Sequence, residues 1–262
     1  MPEGDTVFLT ARRLAAALAG KVLVRGEIRH PRLSTVDFAG RVVRGAGSVG
    51  KHLFIRFDRE LSLHNHLGMD GSWRLAGPAA RLGHQVRVVL VTADKAAIGV
   101  NLHKLALVPT TEEHRLVEHL GPDLLAADWS DAHAAEAARR LSGQPDREIG
   151  VALLDQRAMA GVGNVYKAEV CFLLGVSPWT PVSEVDSERA VRLSRELLLR
   201  NTATFDRSTT GDTRRDRRLW VYGRARSGCL RCGGPVRVAD QGDDARERIT
   251  YFCPACQPGP HP

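Results

Sequence analysis

The sequence Cys229-Leu230-Arg231-Cys232, followed after residues 233–252 by Cys253-Pro254-Ala255-Cys256, decides the fold of the C-terminal part of the chain. Two residues separate the cysteines of each pair, so both thiolates of a pair can bind one ion from a single tight turn. The intervening residues suit a β-hairpin that brings the two turns together around a tetrahedral Zn²⁺. The alternative is a pair of disulfides, which needs an oxidising compartment for which the sequence carries no targeting signal. We therefore predict one structural Zn²⁺ in a zinc finger over residues 227–262.

The loops near these cysteines are basic, which suits contact with phosphates, and a purely structural role for the finger is the alternative. The basic residues are Arg224, Arg226, Arg231, Arg237, Arg246 and Arg248. The fifth cysteine, Cys171, lies in an apolar helical run and is expected to be an inert core residue.

The rest of the chain divides into a β-rich part and a helical part. Apolar residues at helical spacing predict a helix over residues 5–20, which Asp5 or Thr6 can cap at its start and Gly20 at its end. Short β-type runs separated by Gly and Asp turns then extend to about residue 110 and predict an antiparallel sandwich or barrel with the first helix against it. Beyond residue 121, helices are predicted over 132–141, 147–159, 164–174 and 187–199. The fold class is therefore α+β with two domains and a terminal zinc hairpin.

The composition limits the class of protein. The chain has 262 residues, 43% of them hydrophobic and 26% charged, which is ordinary globular composition. The formal net charge of +7 suggests a polyanionic partner. Residues 206–226 hold seven Arg against three Asp, so a flexible loop is expected there, in contact with nucleic acid or simply solvated. Without a membrane-length apolar stretch or a basic signal sequence, we expect a cytoplasmic protein with no membrane partner.

The N-terminus offers a nucleophile. An initial methionine is removed when the next residue is small, which would expose the secondary amine of Pro2. A terminal amine has a pKa near 8, so a useful fraction is neutral at physiological pH and can form an iminium with an electrophilic carbon. Glu3 could transfer protons beside it. The alternative is an ordinary disordered chain start.

Four other places carry residues suited to DNA. Lys51 follows Gly50 in a predicted hairpin turn, and the run from His64 to Gly71 is a predicted polar loop that carries Leu67 and Met69. Asn164 begins a helix after Gly161-Val162-Gly163, where amide groups favour a phosphate. Arg248 could direct a guanidinium along the zinc hairpin. Each of these residues also has an ordinary structural explanation.

Together these motifs resemble the formamidopyrimidine-DNA glycosylase/endonuclease VIII family of bifunctional DNA repair enzymes. The resemblance extends over almost the whole chain, and it rests on the order and spacing of the motifs. The matching stretches are Met1-Pro-Glu-Gly, the Gly50-Lys-His-Leu turn, His66-Leu-Gly-Met, Leu154-Asp-Gln with Gly161-Val-Gly-Asn, Val221-Tyr-Gly-Arg, and the four-cysteine finger.

The resemblance implies roles for residues by position. Residues 1–121 would form the catalytic β-sandwich domain, with Pro2 attacking the sugar C1′, Glu3 donating protons and Lys51 holding a phosphate near the lesion. Residues 130–226 would form a DNA-binding domain with a helix–two-turns–helix motif. The residues that would contact damaged double-stranded DNA are His66, Leu67, Met69, Asn164 and Arg248. We expect a monomer without an organic cofactor that cuts the strand by β,δ-elimination.

Two departures from the family pattern bear on function. Many relatives carry Glu where Thr6 stands, which leaves Asp5 as the nearby carboxylate. Relatives that excise 8-oxoguanine carry a long Gly-Ser-rich loop before the Val-Tyr-Gly-Arg motif, whereas residues 201–220 are short and Arg-rich. This favours the endonuclease VIII branch, which acts on oxidised pyrimidines such as thymine glycol and dihydrouracil. The alternatives are the purine-specific branch, a non-catalytic zinc-finger DNA-binding protein, and a zinc ribbon that assembles with RNA or proteins.

Overall fold

The structure is a computed structural model that describes residues 2–31, 33–242 and 248–262. The chain forms two compact units, Met1–His119 and Leu120–Pro262. Among the basic residues named above, Arg246 lies outside the described residues. No helix in the described part of the chain is long and apolar enough to cross a membrane.

The first unit consists of one helix and two antiparallel four-stranded sheets. The helix, α1, spans Gly4–Leu18. One sheet has the strand order β1-β6-β7-β5 and the other the order β2-β3-β4-β8. The strands are β1 (Arg25–Ile28), β2 (Val43–Val49), β3 (His52–Phe57), β4 (Leu61–His66), β5 (Ser72–Ala76), β6 (Val86–Val91), β7 (Ala96–Val100) and β8 (Lys104–Pro109), and a 3-10 helix follows over Thr110–Leu116. This architecture confirms the predicted β-sandwich with a flanking helix.

The apolar face of α1 explains its place in this unit. Val7, Ala11, Leu14 and Leu18 recur every three or four residues and are buried in one core cluster with side chains of both sheets. The helix begins one residue earlier than predicted, with Glu3 at the N-cap position and no side-chain cap, so the expected capping by Asp5 or Thr6 is wrong.

The strand β4 is the main feature of this unit that the sequence pattern obscured. The polar run from His64 to His66 was expected in a loop, but it pairs with β3 on one side and β8 on the other. Asn65 is buried there because its amide donates to the Leu53 carbonyl at 3.4 Å and accepts from the Trp73 indole at 3.1 Å. Polar side chains with internal partners therefore occupy a central strand.

The second unit is helical and ends in a β-hairpin. Its helices are α2 (Asp131–Ser142), α3 (Ile149–Ala152), α4 (Asn164–Leu174) and α5 (Ser187–Arg200), with a 3-10 helix over Val182–Glu184. The hairpin pairs β9 (Arg237–Gln241) with β10 (Arg248–Phe252) in antiparallel register. The predicted helical domain and terminal hairpin are confirmed, whereas the division of this unit at residue 226 stays a prediction.

The helix predicted over residues 147–159 is much shorter in the structure. It ends after Ala152, and turns follow before α4 begins. The Gln156 side chain holds these turns, because its amide donates to the carbonyls of Leu154 and Val162 at 2.8 and 2.9 Å and accepts from Gly161 N at 3.1 Å. These bonds replace helical ones and give two helices joined by two turns, as the helix–two-turns–helix motif requires.

Candidate functional site

Pro2 and Glu3 precede α1 directly. The Glu3 side chain is fully buried, and the backbone carbonyl of Glu3 accepts from Val7 N at 3.0 Å in the first turn of the helix. Pro2 is half-buried. A carboxyl group at a helix N-terminus is stabilised by the helix dipole. Because Glu3 directly follows Pro2 in the sequence, a buried acid lies beside the residue predicted to be the nucleophile.

The carboxylate considered as a substitute for the missing family Glu lies in the same turn. Asp5 is buried, and the Thr6 hydroxyl donates to its Oδ1 at 3.3 Å. A second acid is therefore present at the start of α1, and Thr6, which replaces the family Glu, donates a hydrogen bond to it.

Lys51 occupies a two-residue hairpin turn between β2 and β3. Val49 pairs with His52 across this turn, and Gly50 has a φ of +55°, a conformation that favours glycine. The Lys51 side chain is half-buried. The turn fixes the backbone position of this cation.

The loop after β4 separates the two residues predicted to fill the space of an extruded nucleotide. Leu67 is buried in the core of the first unit, whereas Met69 is 63% exposed. The loop is fixed because Gly71 N donates to the Leu67 carbonyl at 2.8 Å and Gly68 N donates to His66 Nδ1 at 3.0 Å. The predicted DNA contact of Leu67 therefore has no support here: Leu67 anchors the loop, and Met69 is the residue presented to solvent.

The sequence did not indicate that a second loop lies beside Met69. His103 Nε2 lies 3.2 Å from Asp70 Oδ1, and a Cβ on Gly71 would lie 3.1 Å from the Asn101 carbonyl oxygen. Asn101 adopts a left-handed conformation with a φ of +52°. The only sequence signal for this turn is the tolerance of asparagine for that conformation.

Three histidines cluster around His52, the residue that follows Lys51. His52 Nδ1 lies 2.9 Å from His64 Nε2, and the two rings stack with centroids 5.1 Å apart. The rings of His66 and His119 approach the His52 ring edge-on, at 5.5 and 6.0 Å. Of these residues, only His66 was predicted as part of the site.

Burial makes these imidazoles weak bases. Burial, with the neighbouring histidines and Lys104, lowers the pKa of His52 to about 3. Burial and His66 lower the pKa of His64 to about 4, against the opposing effect of Glu113. Burial, Lys104 and Lys51 lower the pKa of His66 to about 4. His52, His64 and His66 are therefore neutral at physiological pH and add no positive charge beside Lys51.

In the second unit, the start of α4 contacts the finger strand β10. Asn164 is buried, its Nδ2 donates to the Ile249 carbonyl at 2.8 Å, and its Oδ1 has no hydrogen-bond partner within the described residues. The Lys167 ammonium, also buried, donates to Thr250 Oγ1. Arg248, an exposed residue, is the neighbour of Ile249 in the same strand. Asn164 and Arg248, predicted from distant parts of the sequence, thus lie on packed elements.

The four finger cysteines can bind one metal ion. Their sulfurs all lie within 4.8 Å of one another, and all four thiols are free of disulfides. Cys229 Sγ lies 3.9 Å from Cys256 Sγ, and Cys232 Sγ lies 3.6 Å from Cys253 Sγ. A tetrahedron with Zn–S bonds of about 2.3 Å has S–S edges of about 3.8 Å. The donor set and its spacing therefore fit a tetrahedral thiolate site.

The Arg-rich segment, residues 206–226, is hydrogen-bonded throughout, so the expectation of a flexible loop is wrong. Asn201 is buried at the end of α5, and its Oδ1 accepts from Ser208 N at 2.7 Å. Thr209 N donates to the Arg218 carbonyl at 2.8 Å, which closes the segment on itself. The buried carboxylate of Glu169 on α4 accepts four further hydrogen bonds from this segment.

Comparison with known proteins matches both units to domains of one family. Residues 1–121 match the model of the formamidopyrimidine-DNA glycosylase N-terminal domain, and residues 120–212 match the model of the formamidopyrimidine-DNA glycosylase H2TH domain. The probable endonuclease 8 2 of Streptomyces coelicolor is 53% identical over 269 residues, which cover 100% of this chain and 96% of the relative. The DNA-(apurinic or apyrimidinic site) lyase Nei2 of Mycolicibacterium smegmatis is 49% identical over 258 residues, which cover 98% of this chain and 99% of the relative.

Solved structures share the fold. The formamidopyrimidine-DNA glycosylase of Lactococcus lactis, bound non-covalently to DNA that contains an AP site, superposes with a TM-score of 0.81 at 24% identity. The match covers 98% of this chain and 100% of that one.

The lowered pKa values of the histidine cluster predict a pH dependence of stability. Because the folded pKa values lie below the value of about 6.5 in the unfolded chain, the unfolded state binds more protons between pH 6.5 and 4. The free energy of unfolding should therefore fall as the pH drops from 6.5 to 5. Replacing His64 with Gln should make this fall less steep in urea titrations, whereas His84→Gln, in an exposed turn, should leave it unchanged. Equal slopes for the wild type and His64→Gln would contradict the assignment.

Proposed function

This chain belongs to the formamidopyrimidine-DNA glycosylase family, in its endonuclease VIII-like branch, and from that premise we propose which lesion it removes and which residues do so. It is a bifunctional DNA glycosylase and AP lyase of base excision repair. The proposed substrates are oxidised pyrimidines, such as thymine glycol and dihydrouracil, and abasic sites in damaged double-stranded DNA. The compact Arg-rich segment carries the proposal on lesion class, because it stands where purine-specific relatives carry a long Gly-Ser-rich loop.

The proposed nucleophile is the secondary amine of Pro2 after removal of Met1. Its nitrogen forms a bond to the sugar C1′, the glycosidic bond to the damaged base breaks, and the leaving base takes up a proton. The buried Glu3 carboxyl supplies protons for base loss and for opening of the sugar ring. Burial of Glu3 directly beside Pro2 supports this pairing.

The iminium then makes strand cleavage possible. It acidifies the C2′ hydrogen, and loss of that proton expels the 3′ phosphate by β-elimination. A second elimination expels the 5′ phosphate and leaves a one-nucleotide gap. The chain's own groups supply the amine and the proton transfers, and the reaction as proposed needs no organic cofactor.

The proposed DNA contacts are of two kinds: polar or charged contacts to phosphates, and an apolar contact within the base stack. Lys51 in the first unit, and Asn164 and Arg248 in the second, would bind backbone phosphates, and His66 would hold the loop that presents Met69. Met69 would occupy the space left by the extruded nucleotide, because it is the exposed apolar residue of that loop. Extrusion costs a few kcal/mol, which several charge-assisted phosphate contacts can offset.

We propose zinc as the ion of the four-cysteine site, with a structural role. Four thiolates in tetrahedral arrangement are the usual ligands of structural Zn²⁺. The ion would hold the two cysteine turns together and so fix β10, which carries Arg248. We further propose that the enzyme acts as a monomer in the cytoplasm, at the nucleoid.

The finger cysteines predict the metal content of the protein. Purified protein should hold about one equivalent of zinc by elemental analysis, since four thiolates make one site. Cys232→Ser and Cys253→Ser should lose most of that metal and the order of the finger. Cys171→Ala, which removes the core cysteine outside the finger, should keep it. Full metal content in both serine variants would point to another site.

The role of Pro2 predicts a covalent intermediate that depends on a free N-terminus. Borohydride should trap a protein–DNA adduct with duplexes that contain thymine glycol, dihydrouracil or an abasic site, because it reduces the iminium. An uncleaved tag ahead of Pro2 should abolish trapping and cutting, and removal of the tag should restore both. A tag at the C-terminus is the matched control.

Two outcomes would contradict these assignments. If the N-terminally blocked protein cut as well as the native one, Pro2 would not be the nucleophile. If 8-oxoguanine duplexes were cut and trapped in preference to those with oxidised pyrimidines, the proposed lesion class would be wrong.

A further inference from the structure

Both ends of the Arg-rich segment are attached to one buried carboxylate. Glu169, in the middle of α4, is fully buried. Its Oε2 accepts from the Thr209 hydroxyl and from Trp220 N, the latter at 2.8 Å. Its Oε1 accepts from Val221 N and Tyr222 N, each at 2.9 Å. Residues at the two ends of the segment are thereby held at the same point of the helix.

The part of the segment between these ends is also fixed. The Thr210 hydroxyl donates to the Arg217 carbonyl at 2.6 Å, and Arg218 Nε donates to the Thr213 carbonyl at 2.9 Å. The Ser208 hydroxyl donates to the Asp212 carbonyl at 2.8 Å. Hydrogen bonds within the segment therefore define the shape of its backbone.

Six of the seven arginines of this segment fall into two groups. The seventh, Arg207, lies with its guanidinium over the Tyr166 ring, 4.9 Å from the ring centroid. Those in the first group maintain its shape: Arg214 and Arg217 pair with Asp212 at 2.6 and 3.3 Å, Arg218 pairs with Asp206 at 2.8 Å, and Arg224 Nε donates to the Gly228 carbonyl at 2.9 Å.

The second group consists of Arg215 and Arg226. Both are exposed, and neither takes part in an ion pair among the described residues. Asp206 and Asp212 pair with arginines of the first group, and the exposed side chains of Arg215 and Arg226 lie outside these pairs, open to an external anion.

The same helix also holds the finger strand. Asn164 and Lys167, five and two residues before Glu169, donate to Ile249 and Thr250 of β10. The Arg-rich segment and the strand that carries Arg248 are therefore both attached to α4, which fixes the backbone from which their arginines extend.

We infer that Glu169 is a positioning residue that makes the Arg-rich segment a preformed phosphate-binding surface, on which Arg215 and Arg226 contact the DNA backbone. This inference rests on the proposed function, because its ligand is the damaged duplex. A segment that is ordered before binding loses little conformational entropy on binding, so the phosphate contacts contribute more of their free energy to affinity.

Replacement of Glu169 by Gln tests the positioning role with little change in volume. A carboxylate offers acceptors on both oxygens, whereas an amide turns an NH₂ group toward two of the four donors and leaves them unsatisfied. Thr209 and the amides of residues 220–222 then lose part of their attachment. Burial raises the pKa of the Glu169 carboxyl, while its four hydrogen bonds oppose that shift.

The experiment measures binding to a duplex with a non-cleavable abasic analogue, by fluorescence anisotropy over a range of KCl concentrations. Arg215→Ala should lower affinity and reduce the slope of log K against log[salt] by about 0.9, the loss of one phosphate contact. Glu169→Gln should lower affinity about tenfold, raise KM for abasic cleavage and leave kcat near the wild-type value. Hydrogen exchange at residues 220–222 should increase in Glu169→Gln alone.

Two exposed ion pairs of α5 supply matched controls. Glu196→Gln removes a carboxylate that pairs with Arg200, and Arg192→Ala removes a cation that pairs with Glu188. Both variants should bind the duplex with wild-type affinity and salt dependence.

The outcomes separate this inference from the proposed function. If the wild type neither cuts nor traps an abasic duplex, the proposed function fails, while the salt slopes still decide whether the surface binds phosphates. If the wild type cuts but Arg215→Ala and Glu169→Gln keep the wild-type affinity and slope, the inference is overturned. If Glu169→Gln does not fold, the Arg215→Ala/Arg226→Ala double variant decides, and an unchanged slope there overturns the inference.

Discussion

Nine consecutive residues of α4, from Asn164 to Phe172, are buried, and three of them are polar or charged. A helix buried on all its faces must satisfy such side chains from neighbouring segments, because an unpaired buried charge is costly. The Asn164 Nδ2 group and the Lys167 ammonium find acceptors in the finger strand, and the Glu169 carboxylate finds donors in the Arg-rich segment. The constraint on one helix thus attaches both the finger strand and the Arg-rich segment to it.

In the proposed activity, affinity for DNA and the chemical step depend on different residues. The net charge of +7 favours a polyanion at long range, and the cations proposed to contact phosphates are Lys51, Arg248, Arg215 and Arg226. The proposed reaction depends on a different quantity, the fraction of Pro2 amine that is neutral, together with a buried acid beside it. The neutral histidines beside Lys51 limit the positive charge at that end of the first unit. Salt should therefore weaken binding without changing the nature of the chemical step.

Local patterns were readable from the sequence, and contacts between distant residues were not. The four cysteines were found because ligand spacing is a local property, and α4 was predicted with its observed bounds. The helix predicted over 147–159 ends at Ala152, and the turns that follow it are held by the Gln156 side chain rather than set by the helix propensity of the residues. The Arg-rich segment looked flexible by composition, since its order depends on Glu169, 40 residues before Thr209. Leu67 and Met69 were indistinguishable until burial separated them.

The central claim, an iminium at Pro2, is tested most directly by locating the covalent bond. Native protein is trapped on an abasic duplex with borohydride, digested with protease and nuclease, and the modified peptide is identified by mass spectrometry. We predict a sugar remnant on the nitrogen of Pro2 in a peptide that lacks Met1. A remnant on Lys51 or another lysine, with an unmodified N-terminal peptide, would contradict the account.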